Sequence, residues 1–300
     1  MGFSLASDRL MSPAWWELHL VVDPDFEDLA FWRLQDFGCK GTVSERKGRQ
    51  LEVTAYADRA HTSPSDLKDL RARLQADAAS VSLSPPSLEW THLDSEDWAN
   101  TWKKHWHPVF VGDRFLVNPI WIEVPPHGDR HVLLLDPGVA FGTGEHATTQ
   151  MCLESLEELL GTHPHQTLAD IGCGSGILSL GAAKLGASSI YAVDIEPQAI
   201  AVTQKNCDRN QLSETICVQL GSIEAVDRTV DGVICNILAE VIIPLAPEYA
   251  RITHADSWIV LSGLIYAQVE AVTAAMHAAG WTVVSQRSRG EWVCLKLRRS

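Results

Sequence analysis

From residue 145 onward the chain alternates short apolar runs with longer amphipathic ones, and this alternation narrows the possible folds more than any other feature. "TLADIG", "SIYAVD", "TICVQL", "VDGVICN" and "SWIVLSG" read as strands, with helical segments such as "EPQAIAVTQKNCDRN" between them. Short apolar strands, each followed by a helix, pack as a parallel sheet covered on both faces. "WTVVSQRS" and "EWVCLKLR" follow with only Arg289 and Gly290 between them, so the sheet is expected to end in an antiparallel hairpin, seven strands in all. The fold class is α/β and Rossmann-like.

The first ninety-odd residues follow a different rule. "WELHLVV" puts Trp16, Leu18, Leu20 and Val22 on one face of a strand. "DPDFEDLAFWRLQDFG" spaces Phe26, Leu29, Ala30, Leu34 and Phe37 as a helix, with Asp25 before it and Gly38 as its stop. Two strands flank the "ERKGRQ" turn, "SPSDLKDLRARLQADA" opens a second helix with a capping signal, and "SLEWTHL" closes the set. Strand, helix, strand, strand, helix, strand predicts a ferredoxin-like α+β domain over residues 1–95. Residues 96–130 are then a connector with adjoining strands, and 131–300 the Rossmann-like domain. Trp98, Trp102 and Trp106, four apart in the connector, read as packing residues of a helix rather than a ligand-stacking stripe.

Composition excludes several classes of function. The start "MGFSLASDRLMSPAWW" lacks the basic and apolar regions of a secretory signal, and no later run is long and apolar enough to span a bilayer. The expectation is a cytoplasmic protein with no membrane partner. Seven cysteines without a C-x-x-C pair fit neither a disulfide scaffold nor a zinc site, and no metal is assigned. The net charge of −14, half of it on residues 1–97 and half on the rest, argues against nonspecific binding to a phosphate backbone, and no nucleic-acid specificity is expected. A monomer is expected.

"TLADIGCGSGILSL" reads as strand, glycine turn and helix, a geometry that brings backbone close under a ligand at the helix N-terminus. A dinucleotide fingerprint wants G-x-G-x-x-G, but here Gly172, Gly174 and Gly176 give G-x-G-x-G, with Ile177 at the last position. Asp170, at the strand end, would repel a pyrophosphate but suits an α-ammonium group. Asp194 closes the next strand, where a carboxylate can accept from both ribose hydroxyls of an adenosine. The pattern points to a nucleoside carrying a cationic amino acid, and S-adenosylmethionine is such a molecule.

Four stretches in this order, "DPGVAFGTGEHATT", "DIGCGSGILSL", "VDIEPQAI" and "NILAEV", resemble the ribosomal protein methyltransferases that act on large-subunit protein L11. The N-terminal pattern and connector agree with that family's substrate-recognition domain and linker, so the resemblance covers nearly the whole chain. "AFGTGEHATT" is its most specific element, whereas "DIGCGSG" is shared by many methyltransferases. The resemblance implies cofactor contacts at Thr149, Gly172, Asp194 and Asn236. It also implies that the glycine turn, with Asp170 and Gly174, carries the cofactor's amino-acid end. The other loop, with Phe141, Gly142 and Thr143, closes over it. Asn236 is the catalytic candidate, its carboxamide oxygen accepting from the N–H of the nucleophile; helix capping is the other role open to it. His146 is a possible base by position, with loop anchoring as the alternative. The implied activity is trimethylation of lysine ε-amines and of the N-terminal α-amine of protein L11. Two rivals stay open: methylation of another protein or of a small amine, and a noncatalytic ribosome-binding module. The glycine spacing already disfavours a dehydrogenase.

Overall fold

The computed structural model describes residues 15–48, 50–81, 83–93, 106–136 and 144–300. The chain divides into two compact units, Met1–Trp106 and His107–Ser300.

The first unit runs β1 (Trp15–Val22), α1 (Glu27–Asp36), β2 (Lys40–Lys47), β3 (Gln50–Asp58), α2 (Pro64–Ser80) and β4 (Ser87–Leu93). Its four strands form an antiparallel sheet in the order β2-β3-β1-β4. Leu18, Leu20 and Val22 of β1 point to one face, where Ala30 and Leu34 of α1 and Leu67, Leu70 and Leu74 of α2 cover them. Helix α2 starts on a capping box, Ser63 and Asp66 each closing on the other's backbone amide. The turn before α1 starts earlier than expected. Asp23, not Asp25, is the capping side chain, accepting from Asp25 N at 3.0 Å, because Pro24 occupies the first turn position where no amide is needed. Of the connector tryptophans, Trp98 and Trp102 lie outside the described residues and Trp106 is buried.

The second unit opens with a small sheet, β5 (Val109–Val111), β6 (Phe115–Pro119) and β7 (His131–Leu135). The expected boundary between residues 130 and 131 would cut this sheet, because β6 pairs in parallel with β7 from Phe115↔His131 to Pro119↔Leu135. Strands β5 and β6 therefore belong with the second unit rather than with the connector. Phe115, Leu116 and Val117 are wholly or almost wholly buried, and the Glu157 carboxylate holds the β5–β6 turn by accepting from the amides of Asp113 and Arg114.

The remaining elements are α3 (Ala147–Thr162), β8 (Thr167–Ile171), α4 (Ile177–Lys184), β9 (Ser189–Asp194), α5 (Pro197–Asn210), β10 (Ile216–Leu220), β11 (Val230–Asn236), α6 (Ala239–Leu245), β12 (Thr253–Ile265), α7 (Val269–Ala278), β13 (Trp281–Arg289) and β14 (Trp292–Arg299). Seven strands form one sheet in the order β10-β9-β8-β11-β12-β14-β13. The first five are parallel, and β14 runs antiparallel to both of its neighbours. The hairpin loop is Gly290 and Glu291, one residue later than expected. Ile171, Val193, Val233, Cys235, Ile259, Leu261 and Leu295 from adjacent strands share one core with Tyr249 and Trp281.

Candidate active site

Strand order reverses between β8 and β11: one side continues to β9 and β10, the other to β12. At such a switch point the connections leave toward opposite faces and open a crevice at the carboxyl ends of the strands. The glycine turn follows β8 and Asn236 ends β11, so both of these motifs lie at the switch point.

The turn is shaped by its backbone. Gly172 has φ +76°, and a Cβ there would lie 2.4 Å from Cγ2 of Ile237, the residue after Asn236. Only glycine permits both the left-handed conformation and that approach. The amides of Gly172 and Cys173 both donate to Val193 O, binding the turn to the end of β9. The next amide, Gly174 N, donates to Asp194 Oδ2 at 2.9 Å, and Asp194 Oδ1 accepts from Glu196 N at 2.9 Å. Each oxygen of Asp194 thus takes one backbone amide and keeps lone-pair capacity for a further donor.

Asp170 is wholly buried. Its Oδ2 accepts from Ser179 N at 3.1 Å and from Ser179 Oγ at 2.6 Å, while Oδ1 has no partner. Burial raises its pKa to about 6 against the opposing Ser179 bonds, and the charge of Asp194 adds to the rise. Two acids and an orphaned carboxylate oxygen beside a glycine turn suit a cationic ligand and oppose a phosphate.

On the other side of the crevice Asn236 Nδ2 reaches Thr149 Oγ1 at a long 3.5 Å, and Asn236 Oδ1 is buried without a partner. The capping role left open for Asn236 is not observed: the N-cap of α6 is Leu238, with no side-chain cap bond. Thr149 is wholly buried in the first turn of α3. His146 caps that helix, its Nδ1 2.7 Å from Thr148 Oγ1 and its ring set edge-on to Trp292 at 4.7 Å. Burial lowers the His146 pKa, which keeps the ring neutral. This is the anchoring geometry rather than that of a base aimed at a substrate.

Phe141, Gly142 and Thr143 lie outside the described residues. The described residues on either side are Asp136 and Gly144; Gly144 lies against the helix after the glycine turn, and Asp136 is linked to the turn through Asn206. A Cβ on Gly144 would come within 3.0 Å of Ile177 Cδ1 and of Val117 Cγ1. At the other flank Asp136 is bonded to Asn206, which also reaches Ser175 in the turn. Sequence reasoning missed Ile237, Thr203 and Asn206, all of which shape the turn. The available signal was the polar spacing Thr203, Asn206 and Asn210 on the face of α5 that also holds the buried Ala199 and Cys207. Among the described residues no cluster of side chains could hold a metal ion, and no helix is long and apolar enough to cross a membrane.

Residues 14–300 match the family described as "Ribosomal protein L11 methyltransferase (PrmA)". A protein of that name from a Cyanothece species is 42% identical over 294 residues, covering 96% of this chain and all of the relative. One from Synechococcus elongatus is 42% identical over 290 residues, covering 94% and 96%. The crystal structure of a ribosomal protein L11 methylase from Lactobacillus delbrueckii subsp. bulgaricus is 30% identical with a TM-score of 0.61, covering 65% of this chain and all of that one. With a topological switch point, a glycine turn flanked by two acids, and kinship along nearly its whole length, this chain belongs to the ribosomal protein L11 methyltransferase family.

Proposed function

We propose that this protein is an S-adenosylmethionine-dependent methyltransferase of ribosomal protein L11, acting on lysine ε-amines and on the N-terminal α-amine and carrying them to the trimethylated state. The observation that carries the reading is the pair of buried, unpartnered oxygens, Asp170 Oδ1 and Asn236 Oδ1, at the carboxyl ends of the neighbouring strands β8 and β11. A buried acceptor without a donor is costly, so each asks for a donor from outside the chain. Family kinship supports the substrate and the cofactor.

The residues present fit that cofactor. Asp194 would accept from the ribose hydroxyls and Asp170 would face the α-ammonium. Gly172 and Gly174 would let the backbone approach, and Thr149, with Phe141, Gly142 and Thr143, would close the other side. When bound, S-adenosylmethionine supplies an electrophilic methyl group on a sulfonium.

The acceptor amine must be neutral, and at pH 7 a lysine costs roughly 4–5 kcal/mol to deprotonate while an α-amine near pKa 8 costs about 1 kcal/mol. A dry crevice that disfavours the ammonium form offsets part of that cost. In the first two transfers Asn236 Oδ1 accepts a remaining N–H and so turns the nitrogen lone pair into line. The neutral dimethylated amine of the third transfer has no N–H, and there the packing of the crevice does the positioning. Positioning supplies most of the acceleration. No side chain is needed as a permanent base, and His146, neutral and engaged in capping, serves as an anchor.

The first unit, with its β-α-β-β-α-β order, is read as a ferredoxin-like domain that recognises the protein substrate. The protein is read as a cytoplasmic monomer whose acidic surface has no nucleic-acid specificity of its own. The test is mass spectrometry of L11 incubated with S-adenosylmethionine and either wild type or Asn236→Ala, paired with calorimetric cofactor titration. The expected result is methylated lysines and N-terminus with wild type, and a variant whose rate falls far more than its cofactor affinity. Equal losses in rate and affinity would remove the orienting role from Asn236, and unmodified L11 with wild type would remove the substrate.

A further inference from the structure

We propose that Asn206 is a positioning residue: a single buried amide that keeps the glycine turn and the end of β7 in register, so that a ligand touching both finds them already spaced. This rests on the cofactor reading above. Asn206 and Asn210 are four apart on α5 and therefore lie one above the other on its inner face. Asn206 is wholly buried and Asn210 nearly so.

Each side chain imitates a neighbouring strand. Asn210 accepts from Leu134 N at 3.0 Å and donates to Leu134 O at 2.7 Å. Asn206 accepts from Asp136 N at 3.1 Å and donates to Asp136 O at 3.0 Å. Strand β7 and the residue that follows it are thus fastened to α5 at two alternate positions, Leu134 and Asp136.

The two amides differ in where the second donated bond goes. Asn210 returns it to α5 itself, to Asn206 O at 2.8 Å. Asn206 sends it across to Ser175 O in the glycine turn at 2.9 Å. One turn earlier Thr203 Oγ1 donates to Gly174 O at 2.8 Å, so two consecutive carbonyls of the turn are held from α5. A carboxamide has two donor hydrogens, and Asn206 gives one to each segment. Moving either segment would leave a buried donor or acceptor unmatched, which makes the spacing stiff. Arg209 tightens the same point, with NH2 3.3 Å from Asp136 Oδ2 and NH1 3.2 Å from Asn206 Oδ1. Spacing that is set in advance lowers the ordering cost of binding, and that gain appears as affinity.

Asn210 is therefore a control already present in the protein. Full-length wild type, Asn206→Ala and Asn210→Ala are titrated with S-adenosylmethionine by calorimetry, well below their unfolding temperatures. Both variants should melt earlier than wild type. Only Asn206→Ala should bind the cofactor more weakly, on the order of tenfold. Without any ligand, hydrogen exchange gives a second readout. The Gly176 amide, bonded to Cys173 O, should exchange faster in Asn206→Ala and at the wild-type rate in Asn210→Ala, where the Leu134 amide loses protection instead. If Asn206→Ala does not fold, Asn206→Asp keeps the side-chain volume and the acceptor for Asp136 N while removing both donated bonds, and it should show the same weakened binding. Unchanged affinity in the Asn206 variant, or an equal loss in both variants, overturns the positioning role and leaves two packing amides. A wild type that binds no S-adenosylmethionine overturns the cofactor reading and this inference with it.

Discussion

Asp170 carries its charge under protest: burial raises its pKa to about 6 from an ordinary 3.8, so the folded protein holds this proton more tightly than the unfolded chain does. The sign follows from that. Stability contributed by the group is fully present below pH 3.8 and is lost as pH rises toward 6, by about 3 kcal/mol at order of magnitude. Urea unfolding between pH 4 and 7 should show this fall in wild type but not in Asp170→Asn, whose side chain does not titrate. A cation bound beside Asp170 favours the ionised form. Cofactor affinity should therefore climb as pH passes 6 in wild type and stay flat in the variant; parallel pH profiles would detach Asp170 from the ligand. At this scale the sequence was informative where spacing and chemistry coincide. Asp170, Gly172, Gly174 and Asp194 could be chosen because a strand–glycine–helix pattern places them at one edge. Ile237 could not, because its role is a 2.4 Å steric relation to a glycine 65 positions earlier, and no local pattern encodes that.

Helices α3 and α5 each bring an unusual residue to the crevice. His146 is the cap of α3, the helix whose first turn holds Thr149, and its neutral ring both accepts from the turn and packs on Trp292. His146→Ala should destabilise the protein by about 1 kcal/mol, as lost caps do. It should not abolish methyl transfer, and an inactive but fully stable variant would return His146 to the role of base. Its folded pKa is depressed, so the cap's contribution is present above pH 6.5 and fades as pH falls below it; the melting difference between wild type and variant should shrink accordingly. Helix α5 was found by periodicity, but its work was hidden from that method. Pattern reading treats polarity as a sign of exposure, and Thr203 and Asn206 are polar and wholly buried. Their partners are main-chain atoms, and a sequence does not show where a backbone carbonyl will point. Every strand of the seven-stranded sheet was legible, because each is a compact apolar run between helices or turns. Strands β5 and β6 fall among the strands adjoining the connector, since the pairing of β6 with β7 across residues 120–130 leaves no mark in the sequence.

The whole chain is two units with separate cores, one resting on β1 with α1 and α2, the other on the seven-stranded sheet. Each is complete in hydrogen-bonded strands, so residues 107–300 alone should bind S-adenosylmethionine as the full chain does while losing methylation of L11, measured side by side by calorimetry and mass spectrometry. Retained L11 methylation would strip the first unit of its recognition role. The two-unit plan was visible in the change from one strand–helix rhythm to another, but the division after Trp106 was not, because compositional change is gradual there. The strand order has a further consequence for how the protein is made. The four strands of the first unit are all present by Leu93, so that sheet can close while synthesis continues. In the second unit β14 lies inside the sheet, between β12 and β13, although it follows both in sequence. Until Trp292–Arg299 has left the ribosome, the apolar β12 has an open edge and β13 has no strand to pair with, the state in which strands pair with the wrong chain. A chain cut before Trp292 would therefore be an aggregating product rather than a slightly shortened enzyme.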